Sequence, residues 1–353
     1  MIKEETFYEE NIRRIQRQYK VDPELAQRAV FALGLVEALA KVGTEFIFKG
    51  GSSLMLLFDV PRRLSTDVDI LVREGYDIES RIQEASSIFP FVAVTESIRK
   101  TSKSISKKHY RFTYFSPIRK REITVLLDVL FCSDHYAKTA SVPIRNGFLL
   151  TEPKDYFVRM PSVESILGDK LTAFAPHTIG IAFHNEDFSN DKRLEVIKQL
   201  FDVVSLFDIA KDFTAIRDTY FAIAKQEIAF RNLAISPKEC LLDSFRTALS
   251  LLSWGKFFKE DYVELLDGVS KIKTHVVNQS FTMNSTALYA AKAMLLSACL
   301  LKNIDPFSLK IEDANSIQEA PFNKINFILK INEKAAFNIA VSALKLLDGT
   351  AVV

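Results

Sequence analysis

At 353 residues the chain is long for one domain and ample for two. Its 48% hydrophobic and 25% charged residues are the composition of a globular protein rather than a disordered one. A formal net charge of +2 excludes a strongly basic nucleic-acid coat protein while leaving room for a local basic patch. The three cysteines, Cys132, Cys240 and Cys299, lie far apart without CxxC spacing, which excludes a disulfide framework and a cysteine zinc site and suits a reducing, cytoplasmic setting.

Residues 1–42 read as helix. The first residues are acidic and then basic with no apolar core, so no signal peptide is expected. Asp22-Pro23 has the chemistry of a cap and first-turn pair, and Leu25, Ala29, Val30, Leu33, Val36, Leu39 and Ala40 follow at helical spacing. From residue 46 to 160 the texture changes to short β-rich runs, with strands expected at 45–49, 68–72, 91–95, 109–115 and 123–131 and short helices starting at Ser52 and near Asp77. Beyond about Pro161 the pattern is almost wholly helical, over 162–175, 194–207, 213–230, 237–253, 261–279, 286–301 and 333–347, with a mobile Asn- and Asp-rich loop at 185–191. The best membrane candidate, 287–301, is too short and is interrupted by Lys292, so no span is expected. The layout is a mixed α/β half, residues 1–160, followed by a helical half, 161–353.

The informative segment runs Phe48-Lys49-Gly50-Gly51-Ser52-Ser53-Leu54 and then Arg62-Arg63-Leu64-Ser65-Thr66-Asp67-Val68-Asp69-Ile70. Two glycines between a strand and a helix start allow positive φ and close backbone approach, so their amides can turn toward an anion, with the helix N-terminus and the Ser52 hydroxyl behind them. The plainer alternative is a strand–helix turn in which Ser52 caps the helix. Asp67 and Asp69 stand at i and i+2 at the start of an apolar strand, where side chains share a face with Cα atoms roughly 6.5–7 Å apart. That separation lets two carboxylates converge on divalent ions about 3.5–4 Å apart, as in-line phosphoryl chemistry requires. Mg2+ suits such a site because it prefers oxygen ligands and keeps substrate phosphates in its shell. A lone DxD is otherwise a solvated turn.

Two further residues break apolar patterns, and a charged pair flanks one. Asp128 lies inside the nearly continuous apolar run Ile123-Thr124-Val125-Leu126-Leu127-Asp128-Val129-Leu130-Phe131, where a carboxylate needs a partner. That partner is an Arg in the plain reading, or Asp128 completes a triad with Asp67 and Asp69. Lys170 falls within the stripe Val163, Ile166, Leu167, Leu171, Phe174, where an inward lysine snorkels or meets an anion such as a triphosphate. Lys198 and Asp202 stand one turn apart and form an i,i+4 ion pair in the plain reading.

Taken together, GGS, RxSxDxD, a third Asp on a later strand, ESILGDKLTAF and EVIKQLFDVVSLF resemble the AbiEii/AbiGii toxin family of the DNA polymerase β-like nucleotidyltransferase superfamily. The resemblance covers roughly residues 45–210. It implies an α+β architecture: a nucleotidyltransferase-fold mixed sheet with flanking helices, followed by a helical C-terminal lobe. It also implies transfer of a nucleoside monophosphate from an NTP, with Mg2+ or Mn2+ as cofactor and pyrophosphate leaving. Carried over by residue, Gly51, Ser52 and Ser53 hold the triphosphate, Asp67 and Asp69 bind metal, and Asp128 is a third metal acid that helps activate the attacking hydroxyl. Lys170 stabilises the triphosphate, while Lys198 and Asp202 orient it or the structure behind it. Such proteins act as toxins of bacterial toxin–antitoxin pairs linked to phage defence, some modifying tRNA 3′ ends, so a cognate antitoxin is an expected partner. Where many relatives carry an Arg…Arg-Asp segment, this chain offers Lys192, Arg193 or Lys198 before Asp202, and His177 and His184 stand in the intervening loop.

Residues 99–121 hold nine basic residues and no acidic one: Arg99, Lys100, Lys103, Lys107, Lys108, Arg111, Arg119, Lys120 and Arg121. Interleaved with Tyr110, Phe112, Tyr114 and Phe115, they suggest an RNA acceptor such as tRNA, its phosphates held by cations and a base stacked on an aromatic. The alternative is a solvated hairpin whose aromatics pack inward, since they alternate as in a strand. Transfer to a small molecule or a protein, or a catalytically idle scaffold, are the competing functional readings.

Overall fold

The computed structural model describes residues 1–97, 106–184 and 190–347, so Arg99, Lys100, Lys103 and most of the 185–191 loop lie outside the described residues. The chain divides into two compact units, Met1–Ser162 with Thr274–Gln279, and Val163–Lys273 with Ser280–Val353.

In the first unit, α1 (Glu9–Tyr19) ends at Lys20, which adopts a left-handed φ of 53°. Asp22 then caps α2 (Pro23–Lys41), its carboxylate accepting from the N–H groups of Glu24 and Leu25 at 2.9 Å each. The helix is apolar on nearly every side and is accordingly buried. Of its two buried polar side chains, Glu37 accepts from the Ile2 N–H at 2.6 Å, and Gln27 Oε1 accepts from the Ser116 hydroxyl at 2.7 Å while Gln27 Nε2 has no partner among the described residues.

The sheet comprises β1 (Ile47–Lys49), β2 (Val68–Val72), β3 (Phe91–Glu96), β4 (Ser106–Phe115) and β5 (Glu122–Phe131), in the order β1-β2-β5-β4-β3. Strands β2 and β5 are parallel and every other pairing is antiparallel. Between β1 and β2 lies α3 (Gly50–Ser53), and α4 (Glu79–Ser86) precedes β3. Alternation sorts the sheet into two faces. Val68, Ile70, Val125, Leu127, Val129, Tyr110, Phe112 and Tyr114 point to one face and are all buried. Phe31 of α2 stacks on Tyr114 there, at 3.8 Å between ring centroids. The aromatics of the basic stretch therefore belong to the core, as the inward-packing alternative held, and only Phe115 is exposed.

A second, two-stranded sheet of β6 (Thr139–Pro143) and β7 (Phe157–Pro161) was not expected from the sequence. Its strands are short and carry proline at their ends, which hides the β signal.

The second unit is helical: α5 (Val163–Ala173), α6 (Arg193–Phe207), α7 (Phe213–Phe230), α8 (Pro237–Leu252), α9 (Lys259–Ile272), α10 (Met283–Lys302), α11 (Phe327–Lys330) and α12 (Lys334–Leu346). One expected helix is corrected. The run over 261–279 stops at Ile272, and Thr274–Gln279 pairs instead with the segment ahead of β2, within the first unit. The Leu64 N–H donates to His275 O at 2.8 Å and the Val277 N–H to Arg62 O at 2.9 Å. Val276 and Val277 are buried by this pairing, so their apolar spacing serves a bridge rather than a helix face. The fold is thus α+β, with a central sheet flanked by helices and a helical region after it. Among the described residues no helix is long and apolar enough to cross a membrane, and all three cysteines are buried and none forms a disulfide.

Candidate active site

The face of the sheet opposite α2 carries the polar residues. Register places Lys49 opposite Asp69, Asp69 opposite Asp128 and Asp128 opposite His109. Directly opposed residues share a face, and neighbouring strands are about 4.8 Å apart, so four ionisable side chains form one row across four adjacent strands. Two carboxylates side by side cost a sheet stability. Such a pair is what cation binding needs and what packing alone disfavours.

The turn before β2 is built around this row. Gly50 has φ +76°, and a Cβ added there would meet Asp69 Oδ2 at 2.0 Å, so both backbone and neighbour require glycine. Gly51 leaves room for the buried Arg63: a Cβ there would stand 2.8 Å from its guanidinium and 2.7 Å from Ser65 Oγ. Ser52 is not the helix cap, a position taken by Lys49 without a side-chain bond. Ser52 is fully buried and its hydroxyl donates to the Asp67 carbonyl, while the Ser53 hydroxyl donates to Gly50 O at 2.8 Å. Both serines therefore shape the loop, one by fastening it to the entrance of β2. Asp67 itself stands one residue ahead of β2 and is exposed.

Asp128 has a partner that sequence reasoning missed. The hydrogen-bond partner is not an arginine but His109, whose Nδ1 lies 2.6 Å from Asp128 Oδ1. A carboxylate only accepts, so Nδ1 carries the proton. The sequence did hold a signal: His109 alternates out of phase with Tyr110, Phe112 and Tyr114, on the strand beside a carboxylate that demanded a partner. Lys107 and Arg111 share its parity, are exposed, and have no acidic partner among the described residues. Other cations of the stretch are engaged within the unit, Lys108 with Glu79, Arg119 with Glu24 and Lys120 with Glu9.

Among the described residues no group of three or more His, Cys, Asp or Glu side chains gathers into a closed metal cage. The adjacent pair Asp69 and Asp128 fits a different kind of site, because Mg2+ is commonly held by one or two carboxylates and completed by substrate phosphates and water. One row further along the same face, Ile47 and Leu71 oppose each other and pack with Leu130, Cys132 and Tyr136. A cavity of about 570 Å3 opens there, lined by Leu71, Thr44, Arg73, Asp134 and Arg159 among others.

The second unit holds the remaining expected residues. Lys170 and Asp202 are buried and form an ion pair at 3.1 Å, with Gln199 Oε1 accepting from the same ammonium at 3.3 Å. Asp202 thus faces a cation from α5, Lys170. Lys198 lies 3.8 Å from Glu195, and Arg193 pairs with Asp191, Glu264 and Asp267. His177 and His184 are held by Asp261 and Glu264 of α9, at 3.0 and 3.1 Å. The bond from Asp261 raises the His177 pKa above its ordinary value.

A family model described as nucleotidyl transferase AbiEii toxin, type IV TA system, matches residues 35–279. Among solved structures, JHP933 from Helicobacter pylori is 16% identical with a TM-score of 0.45, over 80% of this chain and 95% of that one. A candidate nucleotidyltransferase from H. pylori is 15% identical with a TM-score of 0.45, over 80% of this chain and 99% of that one. Among curated proteins none matches.

Proposed function

Because the chain belongs to the AbiEii family of nucleotidyl transferase toxins, we propose that it transfers a nucleoside monophosphate from an NTP to RNA, with a tRNA 3′ end as the acceptor, and acts as the toxin of a bacterial toxin–antitoxin pair. The observation that supports this best is the in-register placement of Asp69 and Asp128 on one open sheet face, directly behind a glycine turn that gives way to Asp69. These two carboxylates, with Asp67 ahead of them, are the residues that would hold Mg2+ or Mn2+. A bound ion would neutralise charge growing between the attacking and leaving oxygens.

The protein's own part is position and charge. The Gly51–Ser53 turn presents backbone to the triphosphate, its serine hydroxyls keeping the loop in shape. Among the described residues Asp128 Oδ2 has no hydrogen-bond partner, and it is the oxygen left to take the proton of the acceptor hydroxyl. That hydroxyl oxygen bonds to the α-phosphorus as the α–β bridging bond breaks, and pyrophosphate leaves. Lys170, steadied by Asp202 and Gln199, supplies a cation for the triphosphate, with Lys198 assisting. An RNA acceptor is favoured over a cationic small molecule because Lys107 and Arg111 are exposed on the same face as the acids.

The test is incubation of the protein with each labelled NTP, Mg2+ and total bacterial RNA, beside Asp69→Asn. Label should reach a tRNA-sized band with the wild type and fall by at least about a hundredfold in the variant. Label on protein would move the acceptor assignment to a polypeptide. Undiminished transfer by a folded Asp69→Asn would falsify the central claim.

A further inference from the structure

We infer that His109 is a positioning residue for the acid row, holding Asp128 by one oxygen so that the other faces the reaction. The inference rests on the nucleotidyl-transfer reading of that row and adds a residue to it. The imidazole is nearly buried, with 10% of its side chain exposed, while Asp128 is 35% exposed. One partner is therefore fixed by the strand and the other opens to the face. The 2.6 Å bond runs from Nδ1–H to Oδ1, and among the described residues Oδ2 has no hydrogen-bond partner.

A carboxylate on a strand otherwise rotates about its side-chain torsions, and a mobile ligand binds a cation more weakly than a fixed one. Hydrogen bonds to ligating carboxylates hold that orientation, and their loss costs about tenfold to a hundredfold in metal affinity or activity. His109 does this without adding charge to the row in its neutral, Nδ1-protonated form. An arginine in its place would instead neutralise Asp128 and compete with a cation. The opposition of His109 and Asp128 across an unbroken antiparallel register makes the bond a property of the sheet rather than of a loop.

The experiment compares His109→Asn, whose amide nitrogen can replace Nδ1–H, with His109→Leu, which fills the space without a donor. Mn2+ binding in the presence of NTP is measured by electron paramagnetic resonance, and transfer rates are measured in parallel. Thermal melts establish that each variant is folded. His109→Leu should weaken Mn2+ binding by about tenfold or more and lower kcat with little change in the KM for NTP, while His109→Asn stays within about threefold of wild type. Wild-type Mn2+ binding in His109→Leu, an equal loss in both variants, or no Mn2+ binding by the wild type would each overturn the inference. A wild type that transfers nothing, yet shows the expected Leu and Asn pattern in Mn2+ binding, would sink the proposed function and leave the positioning role standing.

Discussion

Gly50 and Asp69 are coupled more tightly than their separation in sequence suggests. Gly50→Ala meets two obstacles, a φ of +76° and a carboxylate oxygen 2.0 Å from the new Cβ. Gly43, with φ +72° and nothing within 4 Å, meets only the first. Gly43→Ala should lose about 1 kcal/mol in thermal melts and Gly50→Ala more, and only Gly50→Ala should also lose transfer, because only it displaces Asp69. Equal transfer by the two would separate the turn from the acids. Lys170 needs the opposite caution. Removing it takes a directly paired cation from Asp202, which is 1% exposed, so Lys170→Met should destabilise by about 3 kcal/mol in denaturant titration. Its inactivity would then say nothing about triphosphate, whereas Lys170→Met with Asp202→Leu should recover much of the stability and isolate the chemical role. At this scale Asp128 and Lys170 stood out because each interrupts an apolar pattern, and the glycines with Asp67 and Asp69 because of their spacing around a strand–turn–strand. His109 was not, because a single histidine among nine basic residues violates nothing until strand register pairs it with Asp128.

Helix α9 shows how an element is held by charge. Asp261, Glu264, Asp267 and Lys271 recur at intervals of three or four and so lie along one side of the helix. They engage His177, His184, Arg193 and Asp191. Two of these contacts carry opposite pH dependences. The His177 pKa is raised, first by its bond to Asp261, so that contribution is complete below about 6.5 and is lost as pH rises through the higher folded value. The Asp191 carboxyl is held well below the usual range, chiefly by Arg193 and then Lys271, so its contribution is present above about 3.9 and is lost as pH falls through the lowered value. Burial raises the Asp243 carboxyl beside His177, which costs stability as pH climbs out of the acid range. His177 is half exposed, so solvent screening limits its share to a few tenths of a kcal/mol. Melting temperature should therefore decline modestly from pH 6 to 8, and Asp261→Asn should flatten that decline. An unchanged slope in the variant would assign it to another group. The end of α9 was misread for a related reason: Val269, Ile272 and Val276 keep helical spacing, but tertiary pairing with Arg62–Leu64 takes the chain over after Ile272. Periodicity reports burial and does not say whether a helix or a bridge provides it.

At the scale of the whole molecule, the chain leaves the sheet-containing unit after Ser162 and returns to it for Thr274–Gln279 before leaving again. No single cut therefore yields a complete first unit, a feature that composition and local pattern could not reveal because it depends on a pairing over two hundred residues apart in sequence. The returning segment binds next to the approach to β2: Arg62, Arg63 and Leu64 lead directly into Asp67 and Asp69, and Arg63 fills the space left by Gly51. A fragment of residues 1–162 leaves the Leu64 N–H, on a fully buried residue, and the Arg62 carbonyl without their partners. Each lost hydrogen bond is worth about 0.5–1.5 kcal/mol, and the burial of Val276 and Val277 is lost with them, against a total stability of about 5–15 kcal/mol for a typical domain. The fragment should thus melt well below the intact chain by circular dichroism. Joining residues 274–279 to it through a flexible linker should raise the melting temperature again. The linked fragment is also the sharper probe, because the segment re-forms the approach to β2. If it recovers stability and Mn2+ binding together, the returning segment supports the acid row as well as the fold. If it recovers neither, what the fragment lacks is something other than this pairing.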